Sequence, residues 1–356
     1  MSEAIKLVMA MPLDDALLDR VRAVSPRVEV TALSRAQRYV YRDGRPLWGG
    51  YQEPPAPEDE SEEVAREALA QILAETQVLV TNHILPDNIS EMTPKLKWAQ
   101  LTSAGVDALI NHSLLRDKPV TVTTASGVHA TTISEYIMGA MLTFAKNFRR
   151  SWRAQEEHRW QPYWPQELED ATVAIIGVGA IGRRTAELAK ALRMHVLATR
   201  RSCQRRTPGA EAGEPAIDEL YPPSDLHSLL AAADYIVLAL PLTADSRGLI
   251  GQAELAAMKP NAVIINIARG SVIDQEALLH ALKDGRIAGA ALDVTTPEPL
   301  PPDHELWTLD NVMITPHISG GTPRYMARVV DLLCDNLSRY VGGEPLRNVV
   351  DVSRGY

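Results

Sequence analysis

Three residues in the last third of the chain have the right types for acid–base and anion-binding chemistry: Arg269, Glu298 and His317. Each follows a short apolar run, at residues 262–267, 287–292 and 312–314 in turn. If those runs are parallel strands, their carboxyl ends share the sheet edge where open α/β folds bind ligands. Arginine offers a fork of donors that can hold a carboxylate and polarise a ketone. Histidine titrates near neutral pH, so His317 can give up a proton as negative charge forms on an oxygen. An acid beside that ring would orient it and favour the imidazolium, and Glu298 suits the place. Hydride transfer to a 2-keto acid needs such a set. His304 is the rival histidine, but Asp303 and Glu305 beside it predict an exposed loop.

A hydride carrier has its own signature upstream. The apolar run 173–176 is followed by Gly177, Val178, Gly179, Ala180, Ile181 and Gly182, a G-x-G-x-x-G. A helical pattern through Ala186, Leu188, Ala189 and Leu192 and a second apolar run at 196–198 complete the unit. Strand, glycine turn, helix and strand make the dinucleotide-binding βαβ unit. Gly177 allows a sharp exit from the strand, Gly179 lets a pyrophosphate approach the backbone, and Gly182 lets the helix pack close. The helix N-terminus then offers N–H groups and partial positive charge to the phosphates. A phosphate loop would need Lys and Ser or Thr after the last glycine, where this chain has Arg183 and Arg184.

The end of the second strand speaks to cofactor choice. NAD sites place an acid there for the ribose 2′-OH. This chain has no acid between Glu187 and Glu211; it has Thr199, Arg200, Arg201, Ser202, Arg205 and Arg206. Guanidinium and hydroxyl groups can bind a 2′-phosphate, which predicts NADP(H) over NAD(H). The bland alternative is a solvated arginine loop.

The elements that must position these residues fit a two-domain protein. At 356 residues, 46% hydrophobic and 23% charged, the chain can bury two cores. A net charge of −9 argues against nucleic-acid or anionic-membrane binding. Two cysteines, Cys203 and Cys334, show neither disulfide nor metal spacing. No apolar run spans a bilayer, and a soluble cytoplasmic protein is expected. Strands at 5–10, 28–32, 77–81, 97–101 and 120–123 form a first alternating α/β unit. Residues 35–60, with Trp48, Tyr51 and several prolines, read as a long irregular loop, either near the active-site mouth or simply on the surface. A helix is predicted over 130–149, and the Trp- and Pro-rich stretch 156–164 reads as an arm toward a partner subunit. Ser103, Ala104 and Gly105, just past a strand, form either a small anion nest for a carboxylate or a plain turn.

Together these segments resemble the D-isomer-specific 2-hydroxyacid dehydrogenase family, including glyoxylate/hydroxypyruvate reductases and phosphoglycerate dehydrogenases. The resemblance runs through the glycine motif 177–182, Asn266 to Gly270, Asp293 to Pro299, and Thr315 to His317. It implies two Rossmann-like doubly wound domains. The cofactor domain, 129–318, is inserted into a discontinuous substrate domain, 1–128 and 319–356. It implies that Arg269 binds substrate, Glu298 and His317 form the acid–base pair, and Asp293 contacts the nicotinamide carboxamide. Residues 103–105 would hold the substrate carboxylate. The implied cofactor contacts extend to Leu240, Pro241, Ile267, Ala268, Arg269, His317 and Gly320. A homodimer through the cofactor domain and a small 2-keto or 2-hydroxy acid as substrate are implied as well. Arg200 stands where many members have Asp. The same fold also serves cofactor-sensing co-repressors and formate- or phosphite-oxidising relatives, which remain alternatives.

Overall fold

The computed structural model describes residues 4–46, 61–116 and 119–354. It divides into two compact units, Met1–Val128 with Thr322–Tyr356, and His129–Gly321. The first unit holds β1 (Ile5–Met9), α1 (Asp15–Arg22), β2 (Val28–Ala32), α2 (Arg35–Tyr41), α3 (Glu62–Ala74), β3 (Val78–Thr81), α4 (Ile89–Met92), β4 (Trp98–Leu101), α5 (Ser113–Arg116) and β5 (Thr121–Thr123). The second holds α6 (Ala130–Ala145), α7 (Phe148–Glu156), β6 (Thr172–Ile176), α8 (Ala180–Ala191), β7 (His195–Thr199), β8 (Thr207–Pro208), β9 (Glu219–Tyr221), α9 (Leu226–Ala232), β10 (Tyr235–Leu238), α10 (Gln252–Ala257), β11 (Val263–Asn266), α11 (Gln275–Lys283), β12 (Gly289–Leu292) and β13 (Val312–Ile314). The last helix, α12 (Tyr325–Gly342), belongs to the first unit.

In the first unit a parallel sheet runs β2-β1-β3-β4-β5. Its inner strands β3 and β4 bury every side chain, and because successive residues point to opposite sides both faces are covered. Leu7, Met9, Val80 and Trp98 pack with Val330, Leu333 and Leu337 of α12. Val8, Leu79 and Ala99 pack with Ala65, Leu69 and Leu73 of α3. A buried polar network secures the returning helix. Asn336 Nδ2 donates to Gln100 Oε1 (3.1 Å) and the Arg347 carbonyl (3.2 Å), and Asn336 Oδ1 accepts from the Arg347 amide (2.8 Å). Fully buried amides demand such partners.

The second unit carries an eight-stranded sheet, β13-β12-β11-β10-β6-β7-β9-β8, parallel except for β8 against β9. Strand order reverses between β6 and β10, the switch point at which such sheets bind ligands. The turn leaving β6 is the glycine motif.

Several sequence expectations are corrected. Residues 35–41 are helical, not irregular. Ser34 accepts from the Gln37 amide while the Gln37 side chain accepts from the Ser34 amide, a capping box. The rest of the expected loop, 47–60 with Trp48 and Tyr51, lies outside the described residues. The single helix expected over 130–149 is two helices, because Asn147 adopts a left-handed backbone at φ 48° between α6 and α7. The short strands β8 and β9, absent from the sequence reading, extend the sheet beyond β7. Among the described residues no helix is long and apolar enough to cross a membrane, and no group of three or more His, Cys, Asp or Glu is placed to hold a metal.

Candidate functional site

The glycine turn is built by close backbone approach. Gly177 has φ +109°, and a Cβ there would lie 2.4 Å from the Ala239 carbonyl oxygen. A Cβ on Gly182 would lie 2.2 Å from the Gly177 carbonyl oxygen, so α8 could not seat against β6. Around Gly179 nothing among the described residues lies within 4 Å of such an atom. Packing therefore explains two of the glycines and leaves the third facing open space. Gly179 caps α8 without a side-chain acceptor for the first amides, as expected where an anion supplies the acceptor. Val178 and Ile181 are half-buried and pack on the core, and Ala180 is exposed. Leu240 is half-buried beside the exposed Pro241 after β10, and Ile267 and Ala268 are buried after β11. The open cradle and unfilled cap fit a dinucleotide phosphate.

At the arginine end, two of the basic residues are held by carboxylates. Thr199 is buried, and its hydroxyl finds no partner among the described residues. Arg200 Nη1 donates to Glu214 Oε1 at 3.0 Å, and Arg200 Nε is buried without an acceptor among the described residues. Glu214 also receives Arg183 Nε and Nη2, at 2.9 and 2.8 Å. The missing acid of the sequence window is thus returned from beyond it. Arg206 is engaged too: it bonds Asp225 at 2.8 Å and lies 4.4 Å over the Tyr221 ring. Arg201 and Ser202 are exposed.

The acid–base candidates meet at the ends of β11, β12 and β13. After β11, the Asn266 side chain braces the turn: its Oδ1 accepts from the Ala268 amide and its Nδ2 donates to the Arg269 carbonyl, both 3.0 Å. A Cβ on Gly270 would lie 2.0 Å from the Thr295 carbonyl oxygen. The Arg269 turn and the segment after β12 are therefore pressed together. That segment carries Glu298, and its Oε1 stands 2.6 Å from His317 Nδ1. A carboxylate only accepts, so Nδ1 bears the hydrogen and Nε2 is the nitrogen left for exchange. His317 is half exposed with a left-handed backbone at φ 53°.

Asp293 holds that backbone. It is 1% exposed, and it accepts from the Thr315 hydroxyl (2.7 Å) and from the amides of Ile318 (2.9 Å) and Ser319 (3.0 Å). Its carbonyl accepts from the His317 amide at 2.9 Å. The Tyr136 hydroxyl lies 2.7 Å from Thr315 Oγ1. Burial pushes the Tyr136 phenol up to about 12, so it stays protonated at neutral pH. Gly320 lies against the His129 ring, whose Nδ1 is 3.2 Å from the Gly320 carbonyl. The hydrogen bond to Glu298 raises the His317 pKa; burial and the positive charge of Arg269 oppose the rise.

The structure thus brings Arg269, Glu298, His317 and Asp293 to one edge of the second unit. Ser103, Ala104 and Gly105 lie in the first unit after β4, where the Ser103 hydroxyl donates to the Gly105 carbonyl (3.2 Å) and closes the turn. His304 serves structure, its Nδ1 accepting from the Leu306 amide at 3.2 Å. Sequence reasoning missed Glu214, Asn266 as a brace, and the pair Tyr136 and Thr315. Only the Asn266 side chain, three residues before Arg269, carried a local signal.

The two kinds of glycine should separate experimentally. Gly182→Ala should lower unfolding stability by about 1–3 kcal/mol, the scale of overpacking. Gly179→Ala should stay within about 1 kcal/mol of the parent, the scale of a cap change. Urea denaturation of both variants checks this; equal losses would refute the packing assignment.

Comparison with known proteins agrees with this geometry. The family described as D-isomer specific 2-hydroxyacid dehydrogenase, NAD binding domain, matches residues 138–319. A glyoxylate reductase of Pyrococcus furiosus is 33% identical over 80% of this chain and 85% of its own length. A D-3-phosphoglycerate dehydrogenase of Methanocaldococcus jannaschii is 32% identical over 81% of this chain; the match spans 54% of that relative. A D-isomer specific 2-hydroxyacid dehydrogenase of Xanthobacter autotrophicus, solved with NADPH and MES, superposes with a TM-score of 0.77 at 27% identity, covering 100% of both chains. With the glycine turn at the strand-order reversal and the ionic pair beyond it, this chain belongs to the D-isomer specific 2-hydroxyacid dehydrogenases.

Proposed function

We propose that the chain is an NADP(H)-linked reductase of small 2-keto acids of the glyoxylate or hydroxypyruvate kind. The observation that carries the proposal is the Glu298–His317 hydrogen bond beside Arg269 at the carboxyl ends of three adjacent strands. The glycine turn and the α8 N-terminus would hold the pyrophosphate, with Leu240, Pro241, Ile267, Ala268 and Gly320 along the rest of the dinucleotide. The bound dinucleotide supplies the hydride. Arg269 holds the substrate carboxylate and polarises its ketone through forked donors. His317 Nε2 gives its proton to the ketone oxygen as the alkoxide forms, and Glu298 fixes the tautomer. Asp293 anchors the backbone on both sides of His317 and is proposed to face the nicotinamide carboxamide. Arg200, Arg201 and Ser202 favour a 2′-phosphate over a bare ribose hydroxyl, and the NADPH-bound Xanthobacter relative supports that choice.

A panel of small 2-keto acids assayed with NADPH and NADH tests the proposal. Turnover of glyoxylate or hydroxypyruvate with NADPH is expected; no turnover of any member would end it. His317→Ala should cut turnover roughly 100-fold or more, the general acid–base scale.

The pH dependence has a defined sign. Reduction needs protonated His317, whose pKa lies above its ordinary value because of Glu298. The rate of reduction should hold as pH rises past the ordinary imidazole range and fall through the raised pKa. The stabilising pair follows the same course, present below the ordinary value and lost above the raised one. Glu298→Gln should move the falling limb to lower pH. A kcat/KM profile with an unmoved limb would rule out the pairing as its cause.

The second unit also supports a homodimer. Tyr163 pins the stretch after α7, its hydroxyl donating to the Lys146 carbonyl at 2.7 Å. On either side Trp160 and Trp164 stand 97% and 95% exposed, more apolar surface than water favours. Analytical ultracentrifugation should find dimers that Trp160→Ala with Trp164→Ala dissociates; a monomeric parent would exclude the arm's role.

A further inference from the structure

We propose that Glu214 is the positioning residue for cofactor choice, holding the Arg200 guanidinium where it meets the 2′-phosphate of NADP(H). The inference builds on the NADP(H) reading above and names what makes Arg200 fit for it. Arg200 directly follows β7, and the Gly177 amide donates to the Thr199 carbonyl at 3.0 Å, so this strand tip adjoins the glycine turn. Arg183 lies in the first turn of α8, its amide bonded to the Gly179 carbonyl at 3.0 Å. Glu214 joins the two. Its Oε1 accepts from Arg183 Nε (3.1 Å), Arg183 Nη2 (2.8 Å) and Arg200 Nη1 (3.0 Å), and its Oε2 accepts from Arg183 Nε (2.9 Å). The two walls of an adenosine ribose site are thereby tied through one carboxylate.

That carboxylate is not available to ribose. Its side chain is 7% exposed, and both oxygens are taken by guanidinium groups. An acid that grips a 2′-OH must instead present a free oxygen. Two guanidinium groups around one carboxylate leave a net positive charge at the strand tip, and Arg201 adds to it. The fork is also preorganised: one donor is committed to Glu214, and Nη2 leans on the Ala212 carbonyl at 3.4 Å. Fixing a long side chain beforehand spares the entropy of ordering it on binding.

The segment that presents Glu214 is itself rigid. Between β8 and β9 the Glu214 and Ala212 amides donate to the Gly209 carbonyl, at 2.7 and 3.0 Å, and the Ile217 amide donates to the Glu214 carbonyl at 3.0 Å. A Cβ on Gly209 would lie 2.0 Å from the Ile217 carbonyl oxygen, so the loop closes only on glycine. A loop that merely covered the sheet edge would not need a buried, four-bonded acid at its tip.

Calorimetric titration of the whole protein with NADP+, NAD+ and 2′,5′-ADP tests the assignment without turnover. The parent should bind NADP+ more tightly than NAD+. Glu214→Ala should weaken NADP+ and 2′,5′-ADP roughly tenfold or more, the scale of a charge-assisted contact, while NAD+ changes less than about twofold. Glu214→Gln keeps the oxygen position that takes three of the four bonds and should restore most of the loss. If Glu214→Ala does not fold, Glu214→Met, which keeps the side-chain volume and removes the acceptor, should show the same selective loss of NADP+. Tighter NADP+ binding by any variant would make Glu214 a competitor of the phosphate and overturn the assignment. So would equal loss for both nucleotides, or no change in either. A parent that fails to prefer NADP+ overturns the cofactor reading itself, a result visible before any variant is made.

Discussion

A buried carboxylate has to be surrounded by donors, and in this protein that requirement shapes the strand-end edge that carries His317. Asp293 is almost wholly enclosed, and moving such a group out of water is costly unless its oxygens are bonded. Its partners are a hydroxyl and two amides from the strand-end segment that carries His317. The peptide on either side of the histidine is therefore stapled to the tip of β12. A left-handed residue in that place is strained by its Cβ, and the surrounding bonds hold it there. Thr315 both donates to Asp293 and meets Tyr136, so the staple continues into α6. What the ring does chemically depends on where this buried anion holds its backbone.

Close backbone contact plays the matching part elsewhere. Gly177, Gly182 and Gly270 each sit where a Cβ would lie within 2.4 Å of a carbonyl oxygen. Such contacts cannot be relieved by rotating a side chain. They set the angle at which the dinucleotide turn leaves β6 and the depth at which the Arg269 turn meets the segment bearing Glu298. The charged groups can then be only half-buried and still be well placed. Their pairing needs little stabilisation of its own, which suits an ion pair open to solvent.

Much of this architecture was legible beforehand. Apolar runs separated by helical patterns marked the parallel sheets, because strands buried on both faces leave no polar alternation. The glycine spacing identified the switch point. The residues after successive strands, Arg269, Glu298 and His317, pointed to one edge, because parallel strands share a direction. Errors fell where local signals were weak or competed. Arg35–Tyr41 is rich in aromatic and charged side chains and reads poorly as a helix, yet the Ser34–Gln37 capping box starts it. Asn147 interrupts a run that looks continuously helical. The strands β8 and β9 are two and three residues long, too short for periodicity to register.

By itself the sequence determined the order of most elements and the glycine turn, because each depends on residue types a few positions apart, and it singled out Arg269, Glu298 and His317 as candidates because each follows an apolar run. Tertiary structure alone decided which charges meet. Glu214 lies fourteen residues beyond Arg200 and thirty-one beyond Arg183, yet it bonds both. Tyr136 reaches Thr315 across 179 residues. Those pairings arise because the sheet brings distant strand tips and helix turns to one side, and no spacing rule in a linear chain records that. The basic stretch after β7 read as a group of cations suited to a 2′-phosphate, and only the fold supplied the carboxylate that holds Arg200.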